Sequence, residues 1–255
     1  MKKNTKWLTS VPVAHRGLHN NKTLPENSLG AFENAIQHGY GIEFDVWRTN
    51  DGQLIVHHDP KLNRTCGLND KTTQVDSSRL EEYKLMNTDY SIPTLEQTLE
   101  LVDGQVGLVI EIKPTKAVDI TCSQIWEKLK NYKGNYCIES FDPYVVRWWA
   151  NNHPEVILGQ LCDWYTFHKI MVRSMRQYRY VDFLATSLKN LPSKYYQRIC
   201  KNNPDMIMIG WTVRTQANFD LAVKNVDNII FETNDKNSEY IAPPSNKNDF
   251  CHREY

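Results

Sequence analysis

Val13-Ala14-His15-Arg16-Gly17, Gly41-Ile42-Glu43-Phe44-Asp45-Val46 and Leu54-Ile55-Val56-His57-His58-Asp59 decide the fold of this chain. Each is a short apolar run that carries a chemically competent side chain at or near its end. Runs of this length, bounded by turn residues, read as buried strands. Alternate side chains of a strand share a face, so Glu43 and Asp45 point the same way, a spacing that suits one hard cation. Asn50-Asp51-Gly52 lies between the second and third runs and reads as a hairpin turn, because glycine accepts positive φ. The strand at residues 54–57 is therefore an extra one, set beside the second.

Working outward, strands are expected at 11–15, 41–46, 107–112, 136–139, 156–161, 183–186, 206–212 and 228–231. Helical patterns fall between them at 28–38, 95–102, 117–130, 144–151, 166–178, 193–202 and 216–223. Asn27 reads as the N-cap of the first helix and Gly39 as its stop. The alternation amounts to about eight βα units, the number of a (β/α)8 TIM barrel in the α/β class. An open doubly wound sheet is the alternative, but no glycine-rich nucleotide loop is present. Residues 1–255 are read as one domain, with a polar insertion or lid at about 59–92 and a polar tail from 233.

A chain of 255 residues is long enough for one such barrel. Lys+Arg and Asp+Glu both number 30, so no global field favours nucleic acid or an anionic membrane, and any attraction to phosphate must be local. The cysteines show no CxxC pair and no Cys/His cluster, which argues against zinc. Several fall inside apolar runs and read as reduced core thiols. The N-terminal segment is too short and broken for a signal sequence, and no apolar run reaches membrane-spanning length. A soluble, cytoplasmic protein without an integral membrane segment is expected.

The motifs then carry a resemblance. His15-Arg16-Gly17, Pro25-Glu26-Asn27-Ser28 with Ala31-Phe32, Glu43-Phe44-Asp45-Val46, Thr49-Asn50-Asp51-Gly52 and His58-Asp59 with Leu62-Asn63-Arg64-Thr65 follow one another in order. Ile92-Pro93-Thr94-Leu95, Glu111-Ile112-Lys113, Ser140-Phe141-Asp142-Pro143 and Trp211-Thr212-Val213 continue the series. The chain resembles the glycerophosphodiester phosphodiesterases, metal-dependent TIM-barrel enzymes that cleave glycerophosphodiesters to glycerol 3-phosphate and an alcohol. It departs from them at Arg214, where asparagine is common, and at Phe231-Glu232-Thr233-Asn234, where Thr-Asp-x-Pro is usual.

From spacing alone, Glu43 and Asp45 fit a structural ion pair with Arg16 or Lys113 as well as a metal site. With Glu111 added, three carboxylates suit Mg²⁺ or Ca²⁺ rather than zinc, and the resemblance implies that these three hold a divalent cation. It implies His15 and His58 as the acid–base pair. It also implies a substrate site formed by Arg16, Lys113 and Trp211, with in-line attack by the glycerol 2-hydroxyl. His57, on the other strand face from His58, reads as a surface or packing residue. Glu26 and Asn27 read as helix capping, with a role in orienting His15 or Arg16 left open. The expected partner is a small-molecule glycerophosphodiester. Two competing readings are a related phosphodiesterase acting on lysophospholipid or a glycerol-phosphate surface polymer, and a retired barrel that binds phosphodiesters without cleaving them.

Overall fold

The computed structural model describes residues 3–163 and 180–233. The helix expected at 166–178 and the tail beyond 233 lie outside them. The chain divides into two compact units, residues 14–136 and residues 1–13 with 137–255.

In the 14–136 unit, β2 (Gly41–Arg48) pairs with β1 (Val13–His15) and, in parallel, with β4 (Leu108–Ile112). The Asn50-Asp51-Gly52 turn folds β3 (Leu54–Val56) back antiparallel on the end of β2, with Val46 opposite Val56 and Gly52 at φ 95°. Residues 41–46 are buried on both faces of the strand, as in sheets covered by helices. Ile42, Phe44 and Val46 share one face, and the Phe44 ring packs 5.7 Å from Phe32 of α1 (Leu29–Gln37). Glu43 and Asp45 are thereby turned to the other face.

The cap of α1 corrects the sequence expectation. Ser28, not Asn27, accepts the Ala31 N–H at 3.2 Å, while Asn27 sits at φ 56° and is turned elsewhere. Gly39 ends the helix as expected, at φ 72°. A capping box of Thr94 and Gln97 opens α3 (Leu95–Val102); α4 (Val118–Leu129) follows β4.

Residues 59–92 form a short helix, α2 (Asn63–Cys66), and two 3₁₀ turns, Thr72–Gln74 and Ser77–Glu82. The segment is less polar in structure than in composition. Leu62, Val75, Leu85 and Ile92 bury themselves on Ile55 of β3, with Trp47, Leu80 and Tyr83 against them.

In the other unit, β5 (Tyr136–Ser140), β6 (Ile157–Cys162), β7 (Phe183–Ser187), β8 (Ile207–Val213) and β9 (Asn228–Phe231) run parallel in sequence order. Helices α5 (Pro143–Asn152), α6 (Lys194–Asn202) and α7 (Gln216–Ala222) alternate with them. Gly159 has no room for a side chain, since the Phe183 ring lies 2.1 Å from where its Cβ would be. Asn228 donates to Leu8 O at 2.7 Å and Val11 O at 2.8 Å, holding the N-terminal segment. Cys122, Cys137, Cys162 and Cys200 are buried. Among the described residues no helix is long and apolar enough to cross a membrane.

The cluster on β3 has a measurable weight. Leu62→Ala removes a completely buried side chain and is expected to cost about 2–5 kcal/mol of unfolding free energy, read from urea denaturation midpoints. A cost below about 0.5 kcal/mol, the range of surface substitutions, would show that residues 59–92 do not share the unit's cooperative core.

Candidate active site

The site is built on the β2–β4 pair. Asp45 stands directly opposite Glu111 in the parallel register, and Glu43 is two residues back on the face of Asp45. The three carboxylates are buried and can each place an oxygen within 4.8 Å of the other two. Lys113, two residues after Glu111, brings its Nζ 2.6 Å from Asp45 Oδ1 and 2.8 Å from Glu111 Oε1. Arg16, just past β1, donates its backbone N–H to Glu43 Oε2 at 2.9 Å and places its Nε 3.6 Å from Asp45 Oδ2. His15 Nε2 lies 3.8 Å from Glu43 Oε2.

Burial works against charge at Asp45, but Lys113 and Arg16 outweigh it and hold the carboxyl well below the usual range. Glu111 goes the other way: burial and the adjacent Asp45 carboxylate push it up to about 7 against the pull of Lys113. Three carboxylates crowded in one place form a donor set short of positive charge. An all-oxygen set of this kind fits a hard divalent cation.

The two adjacent histidines part company. His57 is buried, its Nδ1 3.0 Å from Asp59 O and its Nε2 2.7 Å from the Thr65 hydroxyl. The carbonyl can only accept, so Nδ1 carries the proton and a neutral ring accepts from Thr65. His57 is thus a packing residue. His58 is part-exposed, with Nδ1 2.6 Å from Asp59 Oδ1. A carboxylate can only accept, so Nδ1 carries a proton. Burial, Lys113 and Arg16 lower the His58 pKa against the pull of Asp45 and Asp59.

Two residues read as helix capping, with a role in orienting His15 or Arg16 left open, make contacts at the site. Asn27 donates Nδ2–H to Asp45 Oδ2 at 2.7 Å, and its backbone N–H reaches Arg16 O at 2.9 Å. Glu26 is buried and takes Arg16 Nη1 at 2.6 Å and both Arg64 amino groups at 2.7 Å. Arg64 was visible in the motif series only as one of its members; its tie to Glu26 spans 38 positions and no local spacing announces it. Trp211 belongs to the other unit, on β8, where it meets the Phe141 ring edge-on at 5.7 Å. The two departures noted in the sequence, Arg214 and Glu232, pair there through Nε–Oε2 at 2.6 Å and Nη2–Oε1 at 3.0 Å.

A buried carboxylate cluster flanked by a guanidinium, an ammonium and two imidazoles can bind a phosphodiester and move protons beside it. The glycerophosphoryl diester phosphodiesterase family model matches residues 15–235. The chain belongs to this family. It is a hydrolase of the glycerophosphodiester phosphodiesterase class. A glycerophosphodiester phosphodiesterase of Bacillus altitudinis is 32% identical over 193 residues, 72% of this chain and 73% of its own. That of Caldanaerobacter subterraneus subsp. tengcongensis is 30% identical over 247 residues, 88% and 94% of the two chains. The crystal structure of the Thermotoga maritima glycerophosphodiester phosphodiesterase matches with a TM-score of 0.72 and 26% identity, over 87% of this chain and 94% of that one. An Oleispira antarctica phosphodiesterase, solved with the product sn-glycerol-3-phosphate, matches at TM-score 0.72 and 22% identity over 87% and 93%. The fold class is the α/β barrel of eight parallel strands with helices between.

The Glu26 network has a pH signature. Burial opposes the Glu26 charge, yet Arg64 and Arg16 hold its carboxyl well below the ordinary glutamate value. A folded-state pKa below the unfolded one gives stability that is complete above the unfolded value, about 4.3, and is lost as pH falls toward the folded one. The stability advantage of wild type over Glu26→Gln should be full at pH 7 and shrink steadily below about pH 4.3. Urea midpoints of both proteins from pH 7 to 3 measure it. A difference independent of pH would mean Glu26 acts by packing alone.

Proposed function

We propose that the chain hydrolyses glycerophosphodiesters to glycerol 3-phosphate and an alcohol, with Glu43, Asp45 and Glu111 as ligands of one divalent cation, Mg²⁺ or Ca²⁺. The observation that carries this reading is the register of Asp45 against Glu111 with Glu43 on the same face, the carboxylates already engaging Arg16 and Lys113. When bound, the cation would supply Lewis-acid stabilisation of charge on the phosphate oxygens. Arg16 offers a planar fork and Lys113 a point charge to the same oxygens.

His15 and His58 form the acid–base pair. One takes the proton of the attacking hydroxyl as its oxygen bonds to phosphorus. The other gives a proton to the alcohol oxygen as the phosphorus–oxygen bond to it breaks, leaving a cyclic phosphate that water then opens to glycerol 3-phosphate. Nε2 of His58 takes a proton when it is bare and gives one when it is protonated, so either part is open to it. The product named in the Oleispira antarctica complex supports glycerol 3-phosphate as the half of the substrate that the site grips. The leaving alcohol is then a secondary determinant. A small-molecule substrate and a cytoplasmic setting complete the reading.

Release of glycerol 3-phosphate from glycerophosphocholine, glycerophosphoethanolamine and glycerophosphoglycerol, with and without Mg²⁺ or Ca²⁺, tests it. Chelation is expected to abolish turnover. His15→Ala and His58→Ala should each lose about 10²–10⁴-fold. Full turnover in excess chelator would remove the metal from the reading. Arg16→Lys keeps the charge and removes the fork, and should cost about 1–3 kcal/mol in kcat/KM alike for all three substrates. A loss confined to one head group would make Arg16 a reader of the alcohol instead.

A further inference from the structure

The carboxylates that touch His58 and Arg16 meet at one residue that belongs to neither β2 nor β4. Arg64, on α2 in the 59–92 segment, directs three donors at two carboxylates. Its Nε reaches Asp59 Oδ2 at 2.7 Å, while Nη1 and Nη2 reach Glu26 Oε2 and Oε1, each at 2.7 Å. Each carboxylate in turn holds one group of the site: Asp59 Oδ1 takes His58 Nδ1 at 2.6 Å, and Glu26 Oε1 takes Arg16 Nη1 at 2.6 Å. The sequence of contacts is therefore His58–Asp59–Arg64–Glu26–Arg16, one guanidinium joining the two functional side chains.

Arg64 itself is aimed from a fixed mount. Leu62, two residues before it, is buried in the cluster on β3, and Thr65, the next residue, is bonded to His57. Gly67 ends the short helix in a left-handed turn at φ 69°. The direction of the Arg64 side chain is thus set from both sides.

We propose that Arg64 is the positioning residue of this site, holding His58 in one tautomer and orientation through Asp59 while it holds the Arg16 fork through Glu26. The proposal rests on the reading of the site given above. It requires the guanidinium shape, since three directed donors must meet two carboxylates at once. A lysine ammonium is a point charge and lacks that fork. Partners that orient the histidine ligands of a metal typically contribute about 10–100-fold, and a loss on that scale is expected here.

The test compares wild type with Arg64→Gln, Arg64→Lys, Asp59→Ala, Glu26→Gln and the double variant Asp59→Ala/Arg64→Gln. Steady-state kinetics on glycerophosphocholine are run with saturating Mg²⁺, and thermal melting excludes unfolded variants. Asp59→Ala is expected to lower kcat with little change in KM, and Glu26→Gln to raise KM. Arg64→Gln should do both, by about 10–100-fold in kcat/KM, and Arg64→Lys should not restore either. The double variant should lose no more kcat than the worse of its parents, because both substitutions cut the same link. Restoration by lysine, additive losses in the double variant, or unchanged kinetics in Arg64→Gln would overturn the proposal.

A second readout is independent of turnover. Nitrogen-15 spectra of the imidazoles, with the His58 signals identified by their loss in His58→Ala, report which ring nitrogen is protonated. Wild type should show Nδ1–H alone, and Arg64→Gln a mixture of tautomers. An unchanged His58 spectrum in Arg64→Gln overturns the positioning role. Should wild type cleave no glycerophosphodiester, the functional reading falls, and the spectra still decide what Arg64 does.

Discussion

Asp45 is the constraint on which the rest of the site depends. Its side chain has no exposed surface, and an ionised carboxylate in that position costs several kcal/mol unless charges and donors surround it. The fold meets this from three directions. Lys113 arrives from the end of β4, Arg16 from the turn after β1, and Asn27 from the entry to α1. The main-chain oxygen of Asp45 accepts the His57 N–H at 3.0 Å, which fixes where β3 ends and His58 begins. Arg16 and Asn27 both sit at φ 56°, a conformation that non-glycine residues avoid at a cost of about 1–3 kcal/mol. The two are joined by Asn27 N–H to Arg16 O, and the side chain of one and the backbone of the other serve the carboxylates. The strain is offset by the contacts it makes possible.

Like groups behave differently here because their neighbours differ. Glu26 meets two guanidinium groups and stays charged far below the usual range. Glu111 shares one ammonium with Asp45 and is driven up to about 7. The imidazoles divide in the same way: His57 is closed in by Asp59 O and Thr65, while His58 faces a carboxylate with one nitrogen and leaves the other free of it. Chemistry is assigned by environment, and the environment is set by which face of a strand each residue occupies.

Much of this was legible in the chain. The two-residue period put Glu43 and Asp45 on one face, and Asn50-Asp51-Gly52 gave the hairpin that sets β3 on β2. Apolar runs marked the strands within a residue or two, because buried strands carry their signal in every position. The cap of α1 was misplaced by one residue. Asn27 and Ser28 are both good capping types, and only the buried charge at Asp45 decides that Asn27 is used elsewhere. The Glu26–Arg64 tie was not legible, since it depends on the path of the intervening chain. Trp211 illustrates a different limit: its inclusion rested on the motif series, and the structure shows it on β8 with its ring against Phe141, just past β5.

The segment at 59–92 shows how composition misleads when few side chains do the anchoring. Its polar residues suggested an insertion or a lid, and a lid must separate from the site at low cost. Here Leu62, Val75, Leu85 and Ile92 pack on Ile55, and His57 is bonded to Thr65. Moving the segment would expose those side chains and leave a buried imidazole without its partners, a penalty of several kcal/mol. The same contacts keep α2 at a fixed distance from β3, and Arg64 with it. A segment that cannot move cheaply is suited to hold other groups still. The apolar cluster therefore serves the chemistry indirectly: it fixes the origin from which one guanidinium reaches both Asp59 and Glu26.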